Sequence, residues 1–447
     1  MKTEILTQYR TKIENDYRKK TKLSKAAFKE AQLYVAGGVT RETCYWKPYP
    51  VFVERGEGCR IYDLDGNEYV DYNNAFTSSL LGHTPPQVVE AIRESATKLL
   101  GAGAATQSIH QFAKLFCDRY SSVDKMRFCC SGTEAVMYAC RAARAHTGKE
   151  KIVKHIGSYH GGTPEQEVAV IASTRGLTSN SGIDVIATNV YDRQAMKALF
   201  EKHQTELAGL LLNGVWFLKG DDTLMFLRDL CTRYGVPMIM DEVMSFRLAM
   251  GGAQEYFGVE ADISCFGKYI GGAGLAVGAF GGREEIMTGF DYTTQSEPIH
   301  QAGTFAANPV TVAAGIASLK TLTPKYFTRL NNLGNRLKAG FNKAFNEIGI
   351  KGYVMGEGSL SLMGFGELEM VSDPRRANVP EGQAEVARLL QLAMTVKGNY
   401  VAGSGTLWTT TGPMTDADID KTVSDLHKCL AEAKPVIAEA AHNLIGE

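Results

Sequence analysis

Between Pro86 and Arg283, short apolar runs alternate with stretches of helical periodicity, and this alternation limits the possible folds more than any other feature of the chain. The runs are Met126 to Cys130, Lys151 to His155, Leu207 to Leu212 and Val236 to Met240, accompanied by helical stretches such as Gln87 to Leu100 and Leu224 to Tyr234. A short continuous apolar run suits a strand buried on both faces. Strands that alternate with helices return side by side through right-handed crossovers. The pattern predicts an α/β chain built on a mostly parallel, doubly wound sheet.

At 447 residues the chain is too long for one core, so two domains are expected. Val51 to Val53 and Gly58 to Asp71 read as short strands around an Asp65-Gly66 turn. After Asn308 come two long helical stretches, apolar runs around Leu360 to Phe365 and Thr406 to Thr410, and a closing helix from Asp416. The expected division is therefore an N-terminal helix and hairpin (1–75) packing with the small domain, a large domain (76–305) and a C-terminal small α+β domain (306–447).

The 48 basic and 49 acidic residues give a net charge of −1, which supplies no general field for nucleic acid or an anionic membrane. Nine scattered cysteines, with Cys129 and Cys130 adjacent, suggest neither a disulfide framework nor a paired metal site. Reduced thiols in the cytoplasm fit this usage. The first 30 residues are polar and helix-prone around Arg18-Lys19-Lys20, and no apolar run approaches the roughly 20 residues of a membrane helix. A soluble, untargeted protein is expected.

Three places carry the chemistry. The run ending at Cys130 leads through Ser131-Gly132-Thr133-Glu134 into a helical stretch, so Ser131 can cap the helix while Glu134 completes a capping box. Such a helix N-terminus offers free N–H groups and a positive dipole end to a phosphate, although a merely well-capped helix reads the same way. Asp241 closes a strand-like run at the sheet edge where open α/β folds bind ligands, a position equally open to a cap or a metal ligand. Lys268 stands in Phe266-Gly267-Lys268-Tyr269-Ile270-Gly271-Gly272, which would hold an amine at a tight turn beside the sheet rather than on a solvated face. Partial burial makes a neutral amine available for Schiff-base chemistry. The glycines from Gly271 to Gly282 do not form a dinucleotide loop, since that fingerprint needs a strand before it and a helix opening within it. Tyr159-His160-Gly161-Gly162 follows another strand and would place an aromatic ring at the same edge, where it could stack on a flat cofactor or simply pack.

Taken in order, these residues resemble the fold-type I, class III aminotransferases, in the branch of glutamate-1-semialdehyde aminomutase and the β-amino-acid aminotransferases. The resemblance runs nearly the whole chain. Its most specific stretches are Asp241 to Ser245 through Gly251-Gly252-Ala253-Gln254, then Phe266 to Gly272, then Val277 to Arg283. It implies pyridoxal 5'-phosphate as cofactor, with Lys268 holding it as a Schiff base and serving as the base, and Asp241 pairing with its ring nitrogen. It also implies that Ser131, Gly132, Thr133 and a partner chain's Thr304 hold the phosphate of a homodimer with shared sites, and that Tyr159 and Val243 sandwich the ring. Arg41, in Gly37-Gly38-Val39-Thr40-Arg41, resembles the arginine that grips a substrate carboxylate.

The chain departs from the family at Asn213-Gly214, where relatives carry Glu-Pro, and at Ala402-Gly403-Ser404-Gly405, where β-amino-acid aminotransferases carry an arginine. The second departure speaks against a dicarboxylate acceptor. The function implied is amino transfer from a carboxylate-bearing amine to a keto or aldehyde acceptor. An aminomutase or epimerase is the alternative on the same residues, and a catalytically silent cofactor-binding protein the alternative from another class.

Overall fold

A computed structural model describes residues 2–170, 175–366, 381–401 and 405–446. Its packing divides into two units: Pro86–Phe327 form one, and the described residues up to Pro85 and from Thr328 onward form the other.

The second of these opens with helices Lys2–Lys20 and Lys22–Ala31, followed by strands β1 (Val53–Glu57), β2 (Arg60–Asp63) and β3 (Glu68–Asp71). The turn between β2 and β3 is tied by the buried Asp63 carboxylate, which accepts the N–H groups of Asp65 and Asn67 and the Tyr69 hydroxyl. Gly66 takes the left-handed φ of +81° that this turn requires.

The Pro86–Phe327 unit holds a seven-stranded sheet of β4 (Lys125–Cys129), β5 (Lys151–His155), β6 (Val185–Thr188), β7 (Leu207–Asn213), β8 (Met238–Asp241), β9 (Ile263–Gly267) and β10 (Gly278–Gly282), in the order β4-β10-β9-β8-β7-β5-β6. All neighbours pair in parallel except β10, which runs antiparallel to both β4 and β9. Alternate residues of β8 serve opposite faces. Ile239 joins Ala135, Ala139, Ala142 and Ala143 of helix Gly132–Thr147, whereas Met238 and Met240 join Phe200 and Leu224, Leu227 and Leu230 of the helices on the other side. Both faces are covered, so the strands read as unbroken apolar runs.

Three strands lie outside the apolar runs named from the sequence: β9, which appears there only as the stretch leading to Lys268, β6 and β10. β6 is a short edge strand with a modest Val-Ile-Ala-Thr run. β10 reads Gly-Ala-Phe-Gly-Gly, a composition poor in strand formers, and its glycines answer to crowding. A Cβ on Gly278 would lie 2.0 Å from the Ser131 carbonyl oxygen, and one on Gly282 would lie 2.3 Å from that of Asp262.

In the other unit, the chain from Thr328 on supplies the greater part of helix Pro324–Ile348, then β11 (Gly352–Met355), β12 (Leu360–Phe365), β13 (Asn399–Tyr400) and β14 (Leu407–Thr409), with helices Glu381–Val396 and Asp416–Ala440. β13 adds in parallel to β3, so the N-terminal strands and the C-terminal chain share one sheet. The two compact units divide after Pro85 and after Phe327. His83 bonds back to Gly58 through both backbone groups. Helix Pro309–Thr321 packs on Pro86–Lys98, on Ser108–Cys117 and on the turn at Lys268.

Candidate active site

The parallel strands bring four chain segments to one edge of the seven-stranded sheet. Asp241 is the last residue of β8 and lies in register with Cys265 of β9 and Asn213 of β7. Two residues past Cys265, β9 ends at Gly267, and Lys268 opens a single 3-10 turn to Gly271. Lys268 is half-buried and has φ +50°, a left-handed conformation that costs a side-chain-bearing residue on the order of 1–3 kcal/mol.

The third segment is the turn from β4 into helix Gly132–Thr147. Ser131 caps this helix, its Oγ accepting the Glu134 N–H at 3.2 Å. The expected capping box forms only by half, because the Glu134 carboxylate takes the N–H of Cys130 rather than that of Ser131. The Gly132 and Thr133 N–H groups meet no acceptor among the described residues. They sit at the positive end of a 16-residue helix, where an anion is favoured. Val243 closes the space beside them: a Cβ on Gly132 would come 3.0 Å from Val243 Cγ2, and one on Gly267 would come 3.4 Å from Val243 Cγ1. The ends of β4, β8 and β9 therefore meet around Gly132, Val243 and Gly267.

The fourth segment follows β5. Tyr159 is 60% exposed, while the next residue, His160, is buried. His160 Nδ1 lies 2.8 Å from Asp241 Oδ2, and Asp241 Oδ1 accepts the Val243 N–H at 3.0 Å. Burial pushes the His160 pKa down although the carboxylate pulls it up; facing a carboxylate, Nδ1 carries the hydrogen and donates to Asp241. That carboxylate, 3% exposed, is held from two sides.

Sequence reasoning placed Lys268, Asp241, Val243 and the Ser131–Thr133 turn at this edge and missed the residues that fix them. His160 was noted without a role. Glu242 is fully buried and takes the Ala253 and Gln254 N–H groups and the Ser245 hydroxyl, which locks the chain just after Asp241; burial pushes its carboxyl up to about 7. A glutamate after a strand-ending aspartate and before a Gly-Gly-Ala-Gln turn was a signal available in the sequence. At Asn213-Gly214 the structure shows why no bulkier pair fits: a Cβ on Gly214 would lie 2.5 Å from Ala253 Cβ. The Asn213 side chain accepts the Val215 N–H.

Thr304 lies exposed on the loop before helix Pro309–Thr321. Arg41 belongs to the other unit, where it is exposed, its guanidinium 4.4 Å from the centroid of the Phe76 ring. It forms no ion pair with Glu42 or any other carboxylate among the described residues. Ala402, Gly403 and Ser404, where the family's second arginine is missing, lie outside the described residues.

The donor set suits a phosphorylated, nitrogen-heterocyclic aldehyde: free N–H groups for its phosphate, a buried carboxylate for a ring nitrogen, and an amine for its carbonyl carbon. Comparison with known proteins agrees. The model of the aminotransferase class-III family matches residues 45–430. The chain is 40% identical over 339 residues to a glutamate-1-semialdehyde 2,1-aminomutase of Acetivibrio thermocellus, covering 72% of this chain and 78% of that one. Among solved structures it resembles an omega-transaminase from Sphaerobacter thermophilus (33% identity, TM-score 0.86, covering 92% of this chain and 98% of that one). It also resembles a β-phenylalanine aminotransferase from Variovorax paradoxus (29% identity, TM-score 0.88, covering 96% and 98%). With the fold, the sheet-edge residues and the span of these matches in agreement, the chain belongs to the class-III aminotransferases.

Proposed function

We propose that the protein uses pyridoxal 5'-phosphate to move an amino group from a carboxylate-bearing amine to a keto or aldehyde acceptor. The observation that carries this reading is the buried Asp241–His160 pair one strand away from the strained turn at Lys268. When bound, the cofactor supplies a carbonyl carbon for the amine and a ring that withdraws electrons from it.

The protein's part follows from its own groups. Lys268 Nζ would hold the cofactor's carbonyl carbon and, once free, would take and return the proton at the carbon bearing the amino group. Asp241, oriented by the His160 Nδ1–H and the Val243 N–H, would face the ring nitrogen and hold a proton there. Gly132 and Thr133 bind the phosphate with Ser131 shaping their turn, and Tyr159 and Val243 flank the ring. Arg41 takes the substrate carboxylate. Its cation–π contact with Phe76 leaves the planar edge of the guanidinium available for two parallel hydrogen bonds.

Supplying an amino-acid donor and a keto acceptor should release one keto product per amino group transferred. Arg41→Ala should raise KM for that donor by a factor worth about 2–4 kcal/mol and leave simple amines nearly unchanged. Equal losses on both classes of donor would remove Arg41 from the site. The second reading is an intramolecular aminomutase, favoured by the 40% identity to proteins of that name. It predicts a product isomeric with the substrate and no dependence on an acceptor.

The active unit under this reading is a homodimer in the cytoplasm. Leu100 and Phe305 are 68% and 71% exposed, and the Asn308 side chain bonded to the Leu100 carbonyl sets their loops together as an apolar surface. All nine cysteines are free, as a reducing compartment keeps them, and no helix among the described residues is long and apolar enough to cross a membrane. Mixing Lys268→Ala and Thr304→Ala chains should restore activity, since one site of the mixed dimer then carries both lesions and the other neither. No recovery after confirmed chain exchange would mean that each site is built from one chain.

A further inference from the structure

The segment after His160 does more than carry Tyr159 to the sheet edge. Gln166 is 4% exposed, and its Nε2 donates to the Thr133 carbonyl at 3.0 Å. Its own turn is fixed: Gln166 and Thr163 exchange backbone and side-chain bonds in a capping box. Below it, Lys154, 1% exposed, donates from Nζ to the Gln166 carbonyl at 2.6 Å. Burial pushes this lysine down to about 8, and its ammonium is spent on that carbonyl. A short helical turn, Pro164–Glu167, is thus anchored from the core below and on the helix N-terminus above.

The Gly162 N–H points at Thr133 Oγ1, 3.4 Å away. An N–H spent on that oxygen occupies a lone pair and leaves the hydroxyl proton free to donate elsewhere. Gly161 has φ +126°, and a Cβ there would lie 2.4 Å from Gln166 Oε1 and 2.8 Å from Thr133 Cα. The approach of this segment to Thr133 therefore requires glycine.

We infer that Gln166 is a positioning residue for phosphate recognition: through the Thr133 carbonyl, and with the Gly162 N–H on the Thr133 hydroxyl, it holds the Gly132–Thr133 turn with its donors facing outward. This rests on the proposal that the turn binds the cofactor phosphate. Gln166 touches no ligand itself, so it acts on affinity and not on the proton transfer at Lys268.

The test is a binding titration of the full-length protein, freed of cofactor, with pyridoxal 5'-phosphate and, separately, with unphosphorylated pyridoxal, followed by absorbance. Gln166→Met should weaken the phosphorylated ligand about tenfold and leave pyridoxal unchanged. At saturating cofactor, kcat should stay close to that of the parent. If Gln166→Met does not fold, Gly161→Ala breaks the same contact from the other side and should give the same selective loss. Equal weakening of both ligands, or of neither, would overturn the inference. Thr133→Ala is the control. If it loses the phosphate preference while Gln166→Met keeps it, only the inference fails. If Thr133→Ala also keeps it, the Thr133 hydroxyl is no phosphate donor and the inference fails; if the parent itself shows no preference for the phosphorylated ligand, the phosphate assignment fails.

Discussion

Replacing Lys268 with alanine is expected to lower kcat by on the order of 10⁴-fold or more, because both the covalent hold on the cofactor and the proton-moving base are lost. Lys154 cannot substitute for it: that amine is buried and committed to the Gln166 carbonyl. The fold should survive, since Lys268 is a half-buried residue on a turn. Its φ of +50° adds a second expectation. Alanine keeps the left-handed strain and glycine relieves it, so cofactor-free Lys268→Gly should melt above cofactor-free Lys268→Ala although both are inactive. Equal melting temperatures would show that the turn stores no strain at this position. Turnover within tenfold of the parent in Lys268→Ala would remove the lysine from the mechanism.

Asp241→Asn should retain bound cofactor and lose about 3–5 kcal/mol of transition-state stabilisation, roughly 10²–10⁴ in kcat. The amide is nearly isosteric, so the Val243 N–H keeps an acceptor and the edge of β8 keeps its shape. What disappears is the negative charge that holds a proton on the ring nitrogen. His160 cannot replace it: it is a base and not a carboxylate, and its Nδ1 faces residue 241. The effect should fall on kcat and kcat/KM alike, with cofactor affinity reduced far less. Near-parent turnover would mean that the carboxylate is structural, a cap for the chain after β8.

Which parts of this were readable in the sequence follows from burial. β5, β7 and β8 are covered on both faces, so their continuous apolar runs announced them; Asp241 stood out as the polar residue ending β8, and Lys268 as an amine in a glycine-rich turn. The Ser131 cap was legible because it is local. β10 was not: its glycines are selected by neighbouring backbones, and a Gly-Ala-Phe-Gly-Gly run carries no strand signal until β4 and β9 are in place. The pairing of His160 with Asp241 spans two strands that are not adjacent, and the Gln166–Thr133 contact joins segments on either side of β5. Neither leaves a periodic trace. Helix Pro309–Thr321 follows the loop carrying Thr304 without a linker, and only its packing on Pro86–Lys98 and Ser108–Cys117 shows which unit it joins.

The central claim is that Lys268 is the residue that holds pyridoxal 5'-phosphate, and the most direct measurement is borohydride reduction of the parent protein loaded with cofactor, followed by digestion and peptide mass spectrometry. The account predicts a single phosphopyridoxyl adduct, on the peptide containing Phe266-Gly267-Lys268-Tyr269, at one per chain. An adduct on any other lysine, or none under conditions where the protein turns over, would contradict it.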